Sequence, residues 1–256
     1  MITSNQNPKI RLARALFGRP KERREAGAFV VEGVRLVEEA AEANWPMRFV
    51  LFDELLSDRG KVLVEKLISQ GVDVEEVSRS VMHSLSETET PQGVLAVLND
   101  FRLPIPDALN FILLPDQIRD PGNLGTLLRS AAATGVQAVL IPPETTDAFA
   151  PKVLRSGMGA HFKLPIQSLS WDEIQKRIVG MQTYIADMDG LPCWSTDLRN
   201  PVVLIVGNEA EGASESARKI STGKLSIPMI GDVESLNAGV AGSVLMFEVV
   251  RQRSTL

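Results

Sequence analysis

Short, almost wholly apolar segments recur through the second half of the chain and constrain its fold more than any other feature. Each is three to five residues long, and stretches with helical patterning separate them. Strands that are apolar on both sides are buried on both faces, as in parallel sheets covered by helices. The sequence therefore predicts an α/β fold with a parallel sheet, built from strands at residues 111–114, 138–141, 183–186, 202–206 and 225–227.

The first 98 residues alternate helical and strand-like patterns by themselves. Ile10, Ala13 and Leu16 share one face of a helix that we expect to break at Gly18 and Pro20. Further strands are predicted at 29–31, 48–52, 72–77 and 93–98, with helices at 34–43, 61–70 and from Ser78 onward.

A segment without periodic pattern separates the two halves. Residues 99–108 contain two prolines, which is typical of a linker between separately packed units. We therefore expect a smaller N-terminal α/β domain at residues 1–98 and a larger C-terminal α/β domain at residues 109–256.

The net charge of −5 argues by itself against a nucleic-acid partner, because such proteins usually present a basic surface. The distribution of charge changes that interpretation. Residues 1–26 hold seven lysines and arginines and two glutamates, a net charge of +5. This end is either a cationic surface for RNA or a solvated basic helix, and charge alone does not decide between them.

Cysteine and histidine usage bounds the chemistry. A single cysteine, Cys193, excludes an intramolecular disulfide and favours a reducing compartment; we expect the cytoplasm, with an organellar address left open by the basic N-terminus. His83 and His161 have no cysteine or second histidine at ligand spacing, so no metal site is expected. We expect His161 to be packed or hydrogen-bonded, and Cys193 to be buried. No apolar run reaches the roughly 20 residues that span a bilayer.

The first of three polar segments directly follows a predicted strand. Pro121 and Gly122 are expected to form a turn, and Asn123 to cap a helix over residues 124–133. Asn123 and Arg129 both reach one ligand if it lies over the start of this helix. The alternative is that Asn123 only caps and Arg129 only pairs with a surface carboxylate.

Gly207, Asn208, Glu209 and Gly212 form the second polar segment, at the carboxyl end of the fourth predicted strand. Open α/β sheets bind ligands at this edge. The segment has neither the glycine spacing of a dinucleotide site nor the lysine of a phosphate loop. The alternative is an ordinary strand-to-helix turn capped by Ser214.

The third polar segment joins the last predicted strand to the C-terminal helix. The strand ends at Pro228, and Ser235 is expected to cap the helix. Small residues such as Gly239 and Gly242 are costly in a solitary helix, so either a bound molecule or a neighbouring backbone is expected to pack closely there.

Taken together and in this order, the three segments resemble the SpoU-type, or TrmH-like, RNA ribose 2'-O-methyltransferases of the SPOUT superfamily. A less specific resemblance to the small RNA-binding domain of many members, similar to a ribosomal-protein fold, runs through Asn7, Pro8, Lys9, Phe29, Glu32, Gly33 and residues 91–94. The residues that match the three motifs are Asp120, Pro121, Asn123, Gly125 and Arg129; then Gly207, Asn208, Glu209 and Gly212; then Ile227, Pro228, Glu234, Ser235, Leu236 and Asn237.

The resemblance implies a C-terminal domain whose chain forms a deep trefoil knot, with S-adenosylmethionine as cofactor, S-adenosylhomocysteine as product and no metal. It also implies a homodimer through the catalytic domain, with each active site completed across the interface. The residues implied in cofactor binding are Ala186, Gly207, Asn208, Glu209, Gly212, Ile227, Pro228, Met229, Ser235, Leu236 and Asn237, and those implied around the reacting ribose are Asn123, Arg129, Glu209, Ser235 and Asn237.

Arg129 is the expected catalytic residue, although arginine stays protonated in proteins and is a poor base. We favour a role in which its guanidinium stabilises the developing alkoxide and clamps a phosphate that takes the proton. Glu209 is the alternative base, or an anchor for Asn237, and the sequence does not decide.

The expected partner is structured RNA, with ribosomal RNA favoured over transfer RNA because of the N-terminal domain. Lys152 and Arg155 either contact RNA phosphates or are ordinary surface residues without a ligand. The expected RNA contacts are Lys9, Arg11, Arg23, Arg24, Lys152 and Arg155.

Three other functions compete with this one. They are a transfer-RNA 2'-O-methyltransferase, a non-catalytic RNA- and cofactor-binding paralogue, and a nucleotide-dependent oxidoreductase or NTPase. The intact polar residues of the three motifs argue against the paralogue, and the absence of both glycine fingerprints argues against the last. The sequence names neither the modified nucleotide nor its role in ribosome maturation or antibiotic resistance.

Overall fold

The computed structural model describes residues 1–86, 92–231 and 234–254, so Pro91 of the resemblance lies outside the described residues. The chain divides into two compact units. The first comprises Met1–Phe101 and Phe149–Arg155, and the second comprises Arg102–Ala148 and Ser156–Leu256. Within the described residues, no helix is long and apolar enough to cross a membrane.

The first unit contains a four-stranded mixed sheet in the order β1-β4-β2-β3. Strand β4 is antiparallel to both neighbours, whereas β2 and β3 are parallel. The elements in chain order are α1 (Pro8–Phe17), α2 (Pro20–Ala26), β1 (Ala28–Glu32), α3 (Val34–Glu42), β2 (Met47–Phe52), α4 (Asp58–Ser69), β3 (Val74–Glu76), α5 (Arg79–Leu85) and β4 (Val94–Asn99).

The N-terminal helices differ from the prediction in one respect. Ile10, Ala13 and Leu16 of α1 are fully buried, as their spacing predicted. The expected break at Gly18 and Pro20 is followed at once by a second helix, which the sequence analysis missed. Proline is favoured at the first helical position because its missing N–H has no partner there anyway.

The second unit contains a six-stranded sheet in the order β10-β8-β9-β5-β6-β7, in which every neighbouring pair is parallel. The predicted α/β class with a parallel sheet is therefore confirmed. Helix α7 (Pro151–Gly157) is divided between the units, because Pro151–Arg155 belongs to the first. The elements of the second unit are β5 (Phe111–Pro115), α6 (Pro121–Ala133), β6 (Ala138–Ile141), β7 (Ile166–Ser168), α8 (Trp171–Arg177), β8 (Gln182–Pro192), β9 (Val202–Val206), α9 (Glu215–Ile220), β10 (Gly223–Ser226) and α10 (Ala238–Ser254).

Strand β9 separates two layers of helices. Val203 and Ile205 belong to the apolar cluster that contains Ala217 of α9 and Ile174 of α8. Successive strand residues point to opposite faces, and Val206 meets α10 on the other side. Helix α9 and helix α10 therefore approach the end of β9 from opposite faces of the sheet.

Helix α10 packs closely on α6, which explains its small residues. A Cβ atom at Gly242 would lie 2.3 Å from Leu127 Cδ2, and the Ser130 and Ser243 hydroxyls are 2.7 Å apart. The neighbouring backbone expected from the sequence is thus helix α6.

Candidate active site

A cavity of about 600 Å³ opens at the carboxyl ends of β8, β9 and β10. This volume lies within the roughly 300–1,000 Å³ of small-molecule sites. Ten of the eleven residues expected to hold the cofactor line it, and Asn237 adjoins it through a hydrogen bond to Glu209. Two residues of the third segment, Asp232 and Val233, lie outside the described residues. The ten are Ala186, Gly207, Asn208, Glu209, Gly212, Ile227, Pro228, Met229, Ser235 and Leu236.

The loop after β9 is closed by backbone hydrogen bonds between Asn208 and Gly212, of 3.0 and 2.9 Å. The Asn208 side chain accepts from the N–H of Ala210 at 2.8 Å and donates to the Gln117 carbonyl at 3.1 Å. A Cβ atom at Gly207 would lie 2.6 Å from the backbone of Gly212, so glycine is required at this turn. The loop is therefore a rigid wall of the cavity.

Glu209 is the centre of a hydrogen-bonded cluster that joins all three polar segments. Its Oε1 accepts from Asn123 Nδ2 at 2.6 Å, from Asn237 Nδ2 at 2.8 Å and from the Ala238 N–H at 3.0 Å. Asn237 Nδ2 also donates to Asn123 Oδ1 at 2.8 Å. The structure thus brings together three of the five residues expected around the ribose.

The start of α6 corrects the predicted role of Asn123. The helix begins at Pro121, so Pro121 and Gly122 are its first residues rather than a turn. Asp120 is the cap, and its carboxylate accepts from the Asn123 N–H at 2.8 Å. The Asn123 side chain is thereby left to bind Glu209, and the capping alternative is wrong.

The start of α10 requires a similar correction. We expected Ser235 to cap this helix, but the helix begins at Ala238 and Asn237 Oδ1 accepts from the Val240 N–H at 3.2 Å. Ser235 is exposed and lines the cavity instead. Ser214, by contrast, caps α9 as expected, because its hydroxyl accepts from the Ala217 N–H at 3.2 Å.

Arg129 lies apart from these groups within a single chain. It is exposed on α6 and does not line the cavity. Its guanidinium makes no hydrogen bond or ion pair with any part of the chain that the structure describes. The alternative in which Arg129 only pairs with a surface carboxylate is therefore not seen either.

Three carboxylates line the cavity, and each has a polar partner. Asp187 accepts from Lys224 Nζ at 2.7 Å, and this contact lowers the pKa of Asp187. Glu211 lies 3.6 Å from the guanidinium of Arg119, and Glu209 holds the cluster described above. Because three carboxylates and one cation, Arg218, are among the described residues that line the cavity, its lining is acidic overall, which suits a cationic ligand.

Sequence reasoning missed a buried carboxylate behind this wall. Asp116 is fully buried directly after β5, and its Oδ2 accepts from the Ser214 N–H at 2.6 Å. Burial raises the pKa of Asp116. A single aspartate after an apolar strand forms no pattern that would distinguish it from an ordinary surface residue. Its contact fixes the far end of the loop after β9.

The expected RNA contacts divide by exposure. Arg11, Arg24 and Lys152 are exposed, and Arg155 on α7 is half-buried. The expectation for Arg23 is wrong, because its side chain is buried and donates to the carbonyls of Leu16 at 2.7 Å and Gly18 at 2.9 Å.

Lys9 also has a structural role. Its ammonium lies 2.6 Å from Asp73 and 2.5 Å from Glu75, and it is only partly exposed. These two ion pairs hold helix α1 to β3 and to the residue that precedes it. Of the basic residues at the N-terminal end, Arg11 and Arg24 are therefore better placed than Lys9 to meet a phosphate.

The two remaining expectations on single residues are confirmed. His161 is buried, with its Nε2 2.7 Å from the Ala148 carbonyl oxygen, and burial lowers its pKa to about 4. Cys193 is buried, and burial raises its pKa to about 11. Within the described ranges, no group of three or more His, Cys, Asp or Glu side chains is arranged to hold a metal ion.

Both units of the chain match known protein families. Residues 110–247 match the SpoU rRNA Methylase family, and residues 7–96 match the MRM3-like substrate binding domain. The 23S rRNA (guanosine(2553)-2'-O)-methyltransferase RlmP of Bacillus subtilis is 32% identical over 97% of this chain and 98% of its own.

Solved structures of related enzymes are also similar to this chain. The SpoU methyltransferase AviRb from Streptomyces viridochromogenes, in complex with the cofactor AdoMet, has a TM-score of 0.85 at 30% identity and covers 98% of this chain and 99% of its own. The TrmH/SpoU tRNA modifying enzyme of A. aeolicus has a TM-score of 0.51 at 25% identity and covers 58% of this chain and 77% of its own. The similarity to the first of these structures therefore spans both units.

Proposed function

The chain belongs to the SpoU rRNA methylase family, and from this membership we propose that it transfers a methyl group from S-adenosylmethionine to a ribose 2'-hydroxyl of ribosomal RNA. The observation that carries the proposal is the Asn123–Glu209–Asn237 cluster on the wall of an acidic cavity. Ribosomal RNA is favoured over transfer RNA because the similarity to RlmP covers both units, whereas the tRNA-modifying structure covers 58% of the chain.

The cavity fits S-adenosylmethionine in size and charge. Its wall combines closely packed backbone with carboxylates, and the ligand carries a positive sulfonium. When bound, this cofactor supplies an electrophilic methyl group. The protein must then orient the acceptor hydroxyl and help to remove its proton.

We assign the orienting role to the Glu209 cluster. Glu209 Oε1 is occupied by three donors, so its evident task is to hold the amides of Asn123 and Asn237 in one arrangement. We propose that those amides bind the ribose beside the cavity. Glu209 is thus an anchor in this proposal, and a phosphate clamped by Arg129 takes the proton.

Because Arg129 does not line the cavity of its own chain, we propose that a second copy of the chain supplies it. We propose a homodimer through the exposed face of α10, where Val240 and Phe247 are 46% and 53% exposed and lie on the same side of the helix. Helix α6, which carries Arg129, packs beside α10. Each active site would then combine one cavity with Arg129 of the partner subunit.

Mixed dimers test this arrangement. Arg129→Ala and Gly207→Asp are each expected to be inactive as homodimers. Randomly mixed, they should recover about a quarter of wild-type activity, because half of the dimers contain one complete site. A mixture that stays inactive although the two chains exchange would refute a shared site.

The reaction itself is tested with tritiated S-adenosylmethionine and unmodified transcripts. We expect label in 23S rRNA at a 2'-O position and none in transfer RNA; label in transfer RNA alone would overturn the proposed substrate. Arg129→Ala should abolish transfer while leaving S-adenosylmethionine binding within a few fold. Arg177→Ala, an exposed arginine at the end of α8, is the matched control.

We assign RNA binding to residues 1–98 and catalysis to residues 109–256. Arg11→Gln with Arg24→Gln should reduce the slope of log affinity against log salt by about 1 for each phosphate that the variant no longer binds. Point variants are preferred to a deletion because α1 packs in the core through Ile10 and Leu16. An unchanged slope would remove this surface from the proposal.

A trefoil knot in the catalytic domain and a cytoplasmic location complete the proposal. The knot is supported by the end of α10, where Gln252 Nε2 donates to the Thr196 carbonyl at 3.0 Å and Gln252 Oε1 accepts from the Leu198 N–H at 2.9 Å. The segment between β8 and β9 thus lies against the C-terminal helix. The cytoplasmic location rests on the single buried cysteine.

A further inference from the structure

Arg218 has an unusual position on the cavity wall. Among the described residues that line the cavity, it is the sole cation. Its Nε donates to the Ala213 carbonyl at 3.0 Å, which fixes the base of the guanidinium. Its Nη2 lies 3.8 Å from the position that a Cβ atom would take at Gly212. The guanidinium is therefore held against the loop after β9.

The outer nitrogens of Arg218 differ from the other charged groups of the cavity. Asp187 is paired with Lys224, and Glu211 with Arg119. In the residues that the structure describes, Arg218 Nη1 and Nη2 have no hydrogen-bond or ion-pair partner. The charge of Arg218 contributes to the lowered pKa of Asp187. A fixed guanidinium whose two outer nitrogens make no hydrogen bond is suited to one carboxylate, which it binds through parallel hydrogen bonds.

The position of Arg218 relative to the sheet favours a cofactor carboxylate over an RNA phosphate. Arg218 belongs to α9, on the face of the sheet to which Val203 and Ile205 point. Asn123 and Asn237, proposed to hold the ribose, lie at the starts of α6 and α10 on the other face. Arg218 and Glu209, which anchors these two amides, line the same cavity, so one ligand in it has the ribose-binding groups on one face of the sheet and Arg218 on the other.

We propose that Arg218 binds the α-carboxylate of the methionyl group of S-adenosylmethionine and thereby selects a ligand with an intact amino-acid tail. This inference rests on the proposed function, because it assigns one residue of the same cavity to one group of the cofactor. Arg218 is a binding residue here and takes no part in the transfer of the methyl group.

The test compares two ligands that differ by one carboxylate, S-adenosylmethionine and its decarboxylated form, by titration calorimetry on the full chain. Wild type is expected to bind the intact ligand about ten-fold more tightly, the size of a partly exposed charge-assisted pair. Arg218→Gln should lower affinity for the intact ligand about ten-fold and leave the decarboxylated ligand unchanged, so the ratio approaches one. Lys219→Gln is the control, since Lys219 is exposed on the same helix and pairs with Glu215.

The outcomes separate the inference from the proposed function. If wild type binds neither ligand, the proposed function fails. If wild type binds S-adenosylmethionine but Arg218→Gln keeps the wild-type ratio, the inference alone is overturned, even if both affinities fall together because the loop is disturbed. If the ratio is unchanged while the salt dependence of RNA binding weakens, Arg218 contacts a phosphate and the assignment is likewise overturned.

Discussion

Protonation of His161 is expected to limit the acid stability of the second unit. The imidazole is 1% exposed, and burial lowers its pKa from an ordinary 6.5 to about 4. A Cβ atom at Gly157 would lie 2.7 Å from His161 Cε1, and the neighbouring Ser156 hydroxyl donates to the Pro121 carbonyl at 3.2 Å. His161 therefore supports the start of α6, which presents Asn123.

The sign and size of the effect follow from the two pKa values. The unfolded chain takes up a proton near pH 6.5, whereas the folded chain resists protonation until about pH 4. The stability that the neutral imidazole confers is thus complete above pH 6.5 and is lost as the pH falls toward 4. Between pH 7 and 4.5 the free energy of unfolding should fall by about 2.5 kcal/mol from this residue.

Urea unfolding at pH 7 and pH 4.5 measures the loss. In a Trp45→Phe background, Trp171 and Trp194 report on the second unit by fluorescence. His161→Gln retains an N–H that donates to the Ala148 carbonyl but does not titrate, so it should lose about 2.5 kcal/mol less than the parent.

His83→Gln is the matched control, because His83 is exposed on α5 and should leave the parent's pH dependence unchanged. Carboxylates with lowered pKa, such as Asp187 and Glu248, are common to all variants and act mainly at lower pH. Equal losses in the parent and in His161→Gln would contradict the role given to His161.

Three further predictions concern packing and reactivity. Gly207→Ala should push the loop after β9 away from Gly212 at a cost of about 1–3 kcal/mol and weaken S-adenosylmethionine binding roughly ten- to a hundred-fold in calorimetry. Gly242→Ala places a methyl group against Leu127 and should lower the free energy of unfolding of the second unit by roughly 1–3 kcal/mol in the same urea assay. Cys193, whose pKa burial raises from 9.0 to about 11, should be alkylated about 100-fold more slowly at pH 8 than a free thiol, until the protein unfolds.

These predictions have internal controls and clear contrary results. Gly231 has open space where a Cβ atom would lie, so Gly231→Ala should leave stability unchanged. Stability equal to wild type in Gly242→Ala, or unaltered cofactor affinity in Gly207→Ala, would show that the neighbouring groups move aside without cost. Rapid alkylation of native Cys193 would show that its burial is transient.

The pattern of apolar residues was sufficient to predict that the second unit is an α/β domain with a parallel sheet. Strands β6 and β9 occupy the predicted residues. A strand that is buried on both faces is apolar at every position, so its first and last residues are easily recognised in the sequence. Strand β7 was missed because its three residues are too few for a pattern. Helix α2 was missed because proline usually breaks a helix, although Pro20 here begins one.

For the polar residues of the site, too, the sequence predicted the approximate position but not the contacts. Sequence alone indicates that Asn123, Glu209 and Asn237 lie at one edge of the sheet. All strands of a parallel sheet end at the same edge, and each of these residues lies in a segment that follows a predicted strand. Whether a side chain near a helix start caps the helix or faces a ligand depends on which neighbour lies closer to the first N–H groups. Asp120 and Asn237 took those positions rather than Asn123 and Ser235.

Only the tertiary structure decides which charged side chains are available to a ligand. Arg23 and Arg11 are alike in sequence, yet Arg23 turns inward to the open carbonyls at the end of α1 while Arg11 stays in solvent. Arg218 and Asp116 drew no attention in the sequence, because a lone charge has no pattern. The role of Asp116 depends on burial and on a contact with Ser214, 98 positions further along the chain. The role of Arg218 depends on the cavity that its guanidinium lines, which is formed by several separate segments of the chain.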